Sequence, residues 1–319
     1  MTVITEQIRD PGPGEARIRV LAAGVAWADC MMRRGTYYAQ PELPFTPGYD
    51  IIGVIEQVGP RVTQVTEGQV VAALIGHGGY SQFLIRPESD IVPVPDGLDP
   101  AEAVCLLLNY VTAYQMLHRV AAVKAGEKVL VHSAAGGVGT AVVELGKLAG
   151  LQLFGTAATG KLDLVTRLGC VAIDYRKSDF VKEVRSRTGD GVNLALDSIG
   201  GAHWVRSSRC LKPGGMLIPY GSQNALHGGI VRKLEDRASA ALVAIRRDRR
   251  ISLYSISGMR RKHPEWFRED LSILFRLLSE KRIKPLAADR LPWTEAVEAH
   301  RRLEAGQLQG KLVLDFSLA

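Results

Sequence analysis

Between Ala16 and Ile85 the apolar residues come in short runs, often alternating with polar ones and rich in Val and Ile, which predicts strands at Ala16–Leu21, Ile51–Val58, Gln69–Leu74 and Gln82–Ile85. Pro11-Gly12-Pro13-Gly14, Pro47-Gly48 and the glycines from Gly76 to Gly79 mark the turns between them. From about Pro100 the pattern changes to strands alternating with helices, the texture of βαβ units on a parallel sheet. Strands are expected from Lys128, then at Leu151–Thr156, Ala172–Asp174, Val192–Asp197, Gly215–Pro219 and Ile251–Ile256. Helices are expected at Lys161–Leu168, Phe180–Thr188 and Trp204–Leu211. Six strands at this spacing make a full doubly wound sheet. The end of the chain reads as a helix at Trp266–Lys281, a short helix at Thr294–Glu304 and a strand at Lys311–Asp315, which should return to the first domain. The stretch Ser222–Arg250 is long for a connection. Its apolar stripe (Leu234, Ala238, Ala241, Leu242, Ile245) predicts a helix packed on something, a second subunit being one candidate.

The segment Lys128 to Gly150 reads KVLVHSAAGGVGTAVVELGKLAG: a strand, a tight turn of small residues, and a helix with an apolar side. In a dinucleotide-binding turn, small residues let the backbone approach a pyrophosphate whose charge meets free N–H groups at the helix N-terminus. The turn here is AxGxxG, from Ala134 through Gly136 to Gly139, and its place between strand and helix is the context that gives such a motif weight. The bland alternative is a sharp turn with no ligand. An NAD site normally places a carboxylate on the ribose at the end of the next strand. That strand instead ends Phe154, Gly155, Thr156 and runs into Ala157, Ala158, Thr159, Gly160, Lys161. A missing anion beside a cation and hydroxyls suits a 2′-phosphate, so NADPH is expected over NADH.

At 319 residues, 46% of them hydrophobic, the chain is long enough for two domains. It shows no leader-like start and no apolar run long enough to span a bilayer, which leads to the expectation of a cytoplasmic protein. Cys30, Cys105, Cys170 and Cys210 are too scattered for a disulfide or zinc framework. The net charge of +7 comes partly from clusters at Arg246, Arg247, Arg249, Arg250 and at Arg260, Arg261, Lys262. Such patches attract nucleic acid or acidic membrane surfaces, though solvated faces are the commoner explanation. The Arg-rich stretch lacks the interleaved aromatics of single-strand binders, which argues against nucleic acid as a partner.

The segments GVAWADCMMRRGTYY (Gly24–Tyr38), PFTPGYDIIGVIEQVG (Pro44–Gly59), LNYVTAYQML (Leu108–Leu117), AAGGVG (Ala134–Gly139), IDYR (Ile173–Arg176), DSIGG (Asp197–Gly201), LKPGG (Leu211–Gly215) and GKLVL (Gly310–Leu314) span nearly the whole chain. In content and order they resemble the medium-chain dehydrogenase/reductase superfamily, in its zinc-free quinone oxidoreductase branch and closest to the zeta-crystallin/VAT-1-like subgroup. The resemblance implies an α/β protein. A GroES-like β-rich catalytic domain would cover residues 1–110 and 258–319, and a Rossmann NADPH-binding domain with a six-stranded parallel sheet residues 111–257. Homodimerisation through edge strands of the cofactor domains is also implied. Family members usually have a longer lead-in before Ile4-Thr5-Glu6 that forms a first hairpin, so a trimmed domain or a late start, with an exposed edge, is expected here.

The zinc dehydrogenases of the same superfamily would need a Cys where Ala26 stands, a His-Glu pair where Tyr49-Asp50 stand, and four close cysteines after about Ile85; none of these is met, so no metal is expected. Without a Lewis acid the accessible substrates are conjugated carbonyls, which carry the hydride's charge on their own oxygen. The implied reaction is hydride delivery from NADPH to a quinone or to the β-carbon of an α,β-unsaturated carbonyl. By the family pattern Gly136, Gly137 and Val138 lie over the pyrophosphate. Lys161 and Thr159, next to Thr156, face the 2′-phosphate, and Tyr175 packs by the adenosine. Asn109, Thr112, Tyr220-Gly221-Ser222 and Tyr254-Ser255 line the nicotinamide side. For Tyr175 and Tyr254, core filling is an equal alternative. Quinone reductases of this type often have an Asn where Ala26 stands and a Tyr near Met31. Tyr37 survives as a possible proton or hydrogen-bond donor, although a phenol near pKa 10 is a poor acid unless its site shifts it. His77 and Asp29 are further polar candidates with structural roles as the simpler explanation. The competing function is an NADPH-binding interaction or membrane-surface protein with little catalysis.

Overall fold

A computed structural model describes residues 1–221, 223, 229–245 and 248–318, which divide into two compact units, Met1–Leu108 with Leu271–Ala319 and Asn109–Asp270. In chain order the first unit begins with β1 (Glu15–Val25), α1 (Trp27–Arg33), β2 (Asp50–Val58), β3 (Val70–Leu74), β4 (Phe83–Pro87), β5 (Ile91–Pro93) and α2 (Pro100–Cys105). The second holds α3 (Val111–Tyr114), β6 (Lys128–Val131), α4 (Gly137–Leu148), β7 (Gln152–Ala157), α5 (Leu162–Arg167), β8 (Val171–Asp174), α6 (Phe180–Thr188), β9 (Val192–Asp197), α7 (Ala202–Ser208), β10 (Leu211–Pro219), α8 (Gly229–Ala244), β11 (Arg250–Ile251) and α9 (Ile256–Lys262). Helix α10 (Pro264–Ser279) spans the division, and β12 (Ala287–Pro292), α11 (Ala296–Glu304) and β13 (Lys311–Asp315) complete the first unit.

In the first unit seven strands form one mixed sheet in the order β12-β13-β1-β2-β3-β5, with β4 also on β1. The alternation legible at Ala16, Ile18 and Val20 puts these side chains inside, where they meet Ile51, Ile55, Ala73, Leu312 and Leu314. The final strand pairs antiparallel with β1, Ala22 opposite Asp315 and Gly24 opposite Val313, so the chain end does return to the first domain. Strand β12, parallel to β13, was not expected, because its sequence AADRLP carries no apolar run.

The second unit is built on six parallel strands in the order β11-β10-β9-β6-β7-β8. Strands covered on both faces have near-continuous apolar sequences, as VLV of β6 and LALD of β9 do. Leu130, Ile173 and Leu217 are at most 1% exposed, each worth about 1.5–3 kcal/mol of burial. One expectation needs correction, and another is met only in part. The strand at Ile251–Ile256 ends at Ile251, because Ser255 caps a helix its sequence did not announce: its Oγ accepts the Gly258 N–H at 3.0 Å. Helix α8 forms as expected and packs through Ser239, Ala240 and Val243, while Leu234 and Leu242, with Ile245 just after the helix, are 59%, 57% and 74% exposed on the single chain. No helix among the described residues is long and apolar enough to cross a membrane.

Candidate functional site

The strand order reverses between β6 and β9, and in a doubly wound sheet the ligand crevice opens at the carboxyl ends of the strands at that switch point. The glycine turn leads out of β6 there. Gly136 is the N-cap of α4 and has no side chain, so the first N–H groups of the helix, at the half-exposed Gly137 and Val138, carry no side-chain cap among the described residues. A Cβ at Gly139 would lie 2.2 Å from the Ser133 carbonyl oxygen, so this glycine lets helix and strand end close on each other; one at Gly137 would lie 2.3 Å from Asn109 Nδ2. Asn109, on a π-helical turn over Leu106–Tyr110, therefore stands directly against the turn. Thr112 is buried just beyond it.

At the next strand ends, Lys161 is half-buried, and burial together with the nearby Arg176 guanidinium pushes its amine pKa down. Two cations therefore converge where the 2′-phosphate was expected, and Arg176 is one the sequence reading passed over although it closes the IDYR motif. A dianionic phosphate would reverse the penalty on the Lys161 charge. The carboxylate missing from the end of β7 stands at the end of β8 instead. Asp174 Oδ2 takes the Thr159 hydroxyl proton at 2.7 Å and Oδ1 the Arg176 N–H at 2.9 Å, and the first of these bonds is the main reason its pKa is lowered. The Thr159 proton is thus committed to Asp174. Tyr175 is 51% exposed beside these groups and is not core filling.

Three more expected site residues are turned to structural duty. Thr156 is buried, its Oγ1 2.9 Å from His132 Nδ1 and its carbonyl accepting the Ala134 N–H. The Tyr254 hydroxyl donates to Gln115 Oε1 at 2.8 Å, the Gln115 amide to Asp270, and Asp270 holds Arg119 at 2.8 Å. Ser255 is the cap of α9. Tyr220 is half-buried beside Ser198, burial raising its phenol pKa, and Gly221 is exposed. Ser222 lies outside the described residues.

Behind the turn lies a network that no motif indicated. Ser207 Oγ is 2.6 Å from Asp197 Oδ2, which is also 2.6 Å from His203 Nδ1; Ser207 Oγ is 3.0 Å from His132 Nε2. The Asp197 carboxylate can only accept, so the single Ser207 hydroxyl proton goes to it. His132 Nε2 must then donate to Ser207, and His132 Nδ1 receives the Thr156 hydroxyl. Burial drives the His132 pKa down to about 3, keeping the ring neutral. Burial works against the Asp197 charge too, but the bonds from His203 and Ser207 hold its carboxyl at about 2. His132, Asp197 and His203 are the one metal-ligand-like cluster among the described residues, and each is already engaged by hydrogen bonds.

In the first unit Tyr37 is half-buried, its hydroxyl 3.1 Å from that of Tyr49. Burial first, then Tyr49, pushes the Tyr37 phenol well above 10, the wrong direction for a general acid. Asp29 is fully buried and ties two turns together, Oδ2 accepting the Ala26 N–H at 2.8 Å and Oδ1 the Gly48 N–H at 2.9 Å; burial raises its pKa to about 7 despite these bonds. His77 is exposed, its ring edge-on to Phe45. Where a zinc enzyme would carry ligands this chain has Ala26, Tyr49 and Asp50, and the last is paired with Lys311 at 2.6 Å, both side chains buried.

Residues 12–96 match the alcohol dehydrogenase GroES-like domain family and residues 168–314 the zinc-binding dehydrogenase family. The chain is 31% identical to the synaptic vesicle membrane protein VAT-1 homolog of Rattus norvegicus over 313 residues, which is 95% of this chain and 77% of that protein. It is 33% identical over 316 residues to the 2-haloacrylate reductase of a Burkholderia species, covering 97% and 92% of the two chains. Escherichia coli quinone oxidoreductase, solved in complex with NADPH, superposes with a TM-score of 0.88 at 26% identity, over 98% of this chain and 94% of that one.

Proposed function

This chain belongs to the medium-chain dehydrogenase/reductase superfamily, in its zeta-crystallin/VAT-1-like branch, and on that premise we propose that it is an NADPH-dependent, zinc-independent reductase of quinones or α,β-unsaturated carbonyls. The observation that carries the nucleotide half is the uncapped glycine turn at α4 together with the convergence of Lys161 and Arg176. Gly136, Gly137 and Val138 would take the pyrophosphate on backbone N–H groups, Lys161 and Arg176 the 2′-phosphate, and the exposed Tyr175 ring the adenine. Asn109 would help to place the nicotinamide end. When bound, the nucleotide supplies a hydride, which carries both electrons of the reduction.

The substrate half rests on the residues of the first unit. With Asp50 neutralised by Lys311, and Ala26 and Tyr49 in the other two positions, no Lewis acid is on hand to stabilise an alkoxide. A conjugated substrate delocalises that charge onto its own oxygen. Tyr37 stays protonated at any physiological pH and is suited to donate a hydrogen bond, while the proton that completes the reduction comes from water.

The test is a fluorescence titration of NADPH against NADH on wild type, Lys161→Ala and Arg176→Ala, followed by a panel of quinones and enones. Each variant is expected to lose about 10- to 100-fold in NADPH affinity, the worth of a charge-assisted hydrogen bond, with NADH binding little changed. Wild type should oxidise NADPH with at least one panel member. Binding without turnover would favour the second reading, a nucleotide-binding interaction or membrane-surface protein, for which the exposed Leu234, Arg237 and Leu242 of α8, with Ile245 just after it, are the supporting observation.

A further inference from the structure

We infer that Asp174 is a positioning residue for cofactor choice: its carboxylate ties the loop that carries Lys161 to the loop that carries Arg176, and so sets the preference for NADPH over NADH. The inference rests on the nucleotide half of the reductase reading and deepens it by naming what holds the two cations in place.

Both cations stand where strands give way to loops. Lys161 ends the tight turn Thr159–Lys161 that follows β7, and Arg176 lies two residues past the end of β8. A long charged side chain gives up rotamer freedom when it meets a phosphate, and an unfastened loop beneath it adds to that cost. Strand pairing brings the two loops out side by side, with Ala157 opposite Asp174 and the Tyr175 N–H on the Ala157 carbonyl at 3.4 Å. Beyond that point the Asp174 carboxylate crosses from one loop to the other. Its Oδ2 accepts the hydroxyl of Thr159, two residues before Lys161, at 2.7 Å, and its Oδ1 accepts the backbone N–H of Arg176 at 2.9 Å. Asp174 is itself held in a turn, because its carbonyl takes both the N–H and the hydroxyl of Ser178 at 3.0 Å.

On charge alone a carboxylate is misplaced here. The Thr159 bond is the main reason its pKa is lowered, so it is ionised at neutral pH and repels a dianionic phosphate. Asp174 is half-exposed, and water and salt screen that repulsion. The two hydrogen bonds act locally: without them the nucleotide itself would have to order both loops. Charge and fastening therefore oppose each other at this one residue. If fastening dominates, removing the carboxylate weakens the grip on a 2′-phosphate; if charge dominates, removing it tightens the grip. Thr159 separates the two effects, since changing it breaks the bond between the loops and leaves the carboxylate in place.

The test is a calorimetric titration of 2′,5′-ADP and of 5′-ADP, which differ only in the 2′-phosphate, into the full chain as wild type, Asp174→Ala, Thr159→Val and the double variant. NADPH and NADH are titrated alongside. Wild type is expected to bind 2′,5′-ADP at least about tenfold more tightly than 5′-ADP. Affinity for 2′,5′-ADP and NADPH should fall about tenfold in Asp174→Ala and by a smaller factor in Thr159→Val, which keeps the Arg176 bond. Affinity for 5′-ADP and NADH should stay as in wild type, which also shows that each variant is folded. The double variant should bind no more weakly than Asp174→Ala, because both changes break the same fastening. An Asp174→Ala protein that binds 2′,5′-ADP as tightly as wild type or more so, or a Thr159→Val protein of wild-type affinity, overturns the inference and leaves the NADPH reading standing. Equal losses for 2′,5′-ADP and 5′-ADP also overturn it, since they mark damage to the fold and not to the choice of cofactor. A wild-type protein with no preference for the 2′-phosphate removes the NADPH reading, and the inference with it.

Discussion

Gly137 and Gly139 are two residues apart in the same turn, yet a methyl group would meet different things at each. At Gly139 it meets backbone, the Ser133 oxygen at 2.2 Å and the Ala134 Cα at 2.7 Å, which can yield only if strand end and helix separate. Gly139→Ala is expected to cost about 1–3 kcal/mol of stability, read as a shifted urea midpoint. At Gly137 the methyl meets the movable amide of Asn109, and alanine is the better helix former by about 0.5–1 kcal/mol. Gly137→Ala should therefore fold at least as well as wild type but bind NADPH about tenfold or more weakly, since the displaced Asn109 and the methyl both intrude on the cradle. The glycines of this turn were legible in the sequence because their spacing repeats a backbone requirement. The hydroxyls were not: whether Thr156, Thr159, Tyr254 or Ser255 faces a ligand depends on His132, Asp174, Gln115 and Gly258, and for the first three the partner lies at least fifteen positions away along the chain.

Among the elements, those with a strong period were foreseen and those held by partners were not. Helix α6 and strand β9 fall where their sequences place them, because capping by Asp179 and a buried apolar run are local properties. The N-terminus of α7 is different: Gly201 offers no cap, and its N–H is met at 2.5 Å by Asp236 from α8. With Ser239 and Val243 inside, the stripe expected to pack on another element or a second subunit is left exposed on the single chain. The π-helical turns at Leu106–Tyr110 and Gln115–Val120 also escaped the sequence, being a one-residue widening that presents Asn109 and Gln115. Gln115 and Arg119 converge on Asp270, which is fully buried. Asp270→Ala would leave the Arg119 guanidinium, which also lies over the Trp266 ring, paired with the exposed Glu269. A loss of about 3 kcal/mol in urea unfolding is expected, at the lower end for a broken buried pair because Arg119 is partly exposed.

For the molecule as a whole, acid should act through two buried histidines. Burial lowers His132 to about 3 and His300 to about 4, below the usual 6.5 of an unfolded chain. The unfolded state then binds protons first as pH falls, so the stability these rings confer is complete above about 6.5 and is lost on acidification by up to about 1.4 kcal/mol per pH unit for each. Asp29 runs the other way: raised to about 7, it stabilises at low pH and loses that contribution as pH rises from about 4 through 7. Urea midpoints between pH 4 and 6.5 should therefore fall more steeply with acid in Asp29→Asn than in wild type, and less steeply in His300→Gln.

The pairing of β1 with β13, and of Asp50 with Lys311, has a consequence in time. The two partners of that ion pair are 261 residues apart, and Gly24 touches both so closely that a Cβ there would lie 2.1 Å from the lysine. A ribosome delivers Asp50 well before Lys311, with the second unit in between. Until Lys311 has emerged, β1 lacks its β13 partner and the Asp50 carboxylate lacks its Lys311 counterion, so this early segment can close only after the second unit has been made. A chain cut before Gly310 would keep all six strands of the nucleotide-binding sheet but leave the sheet of the first unit without β13.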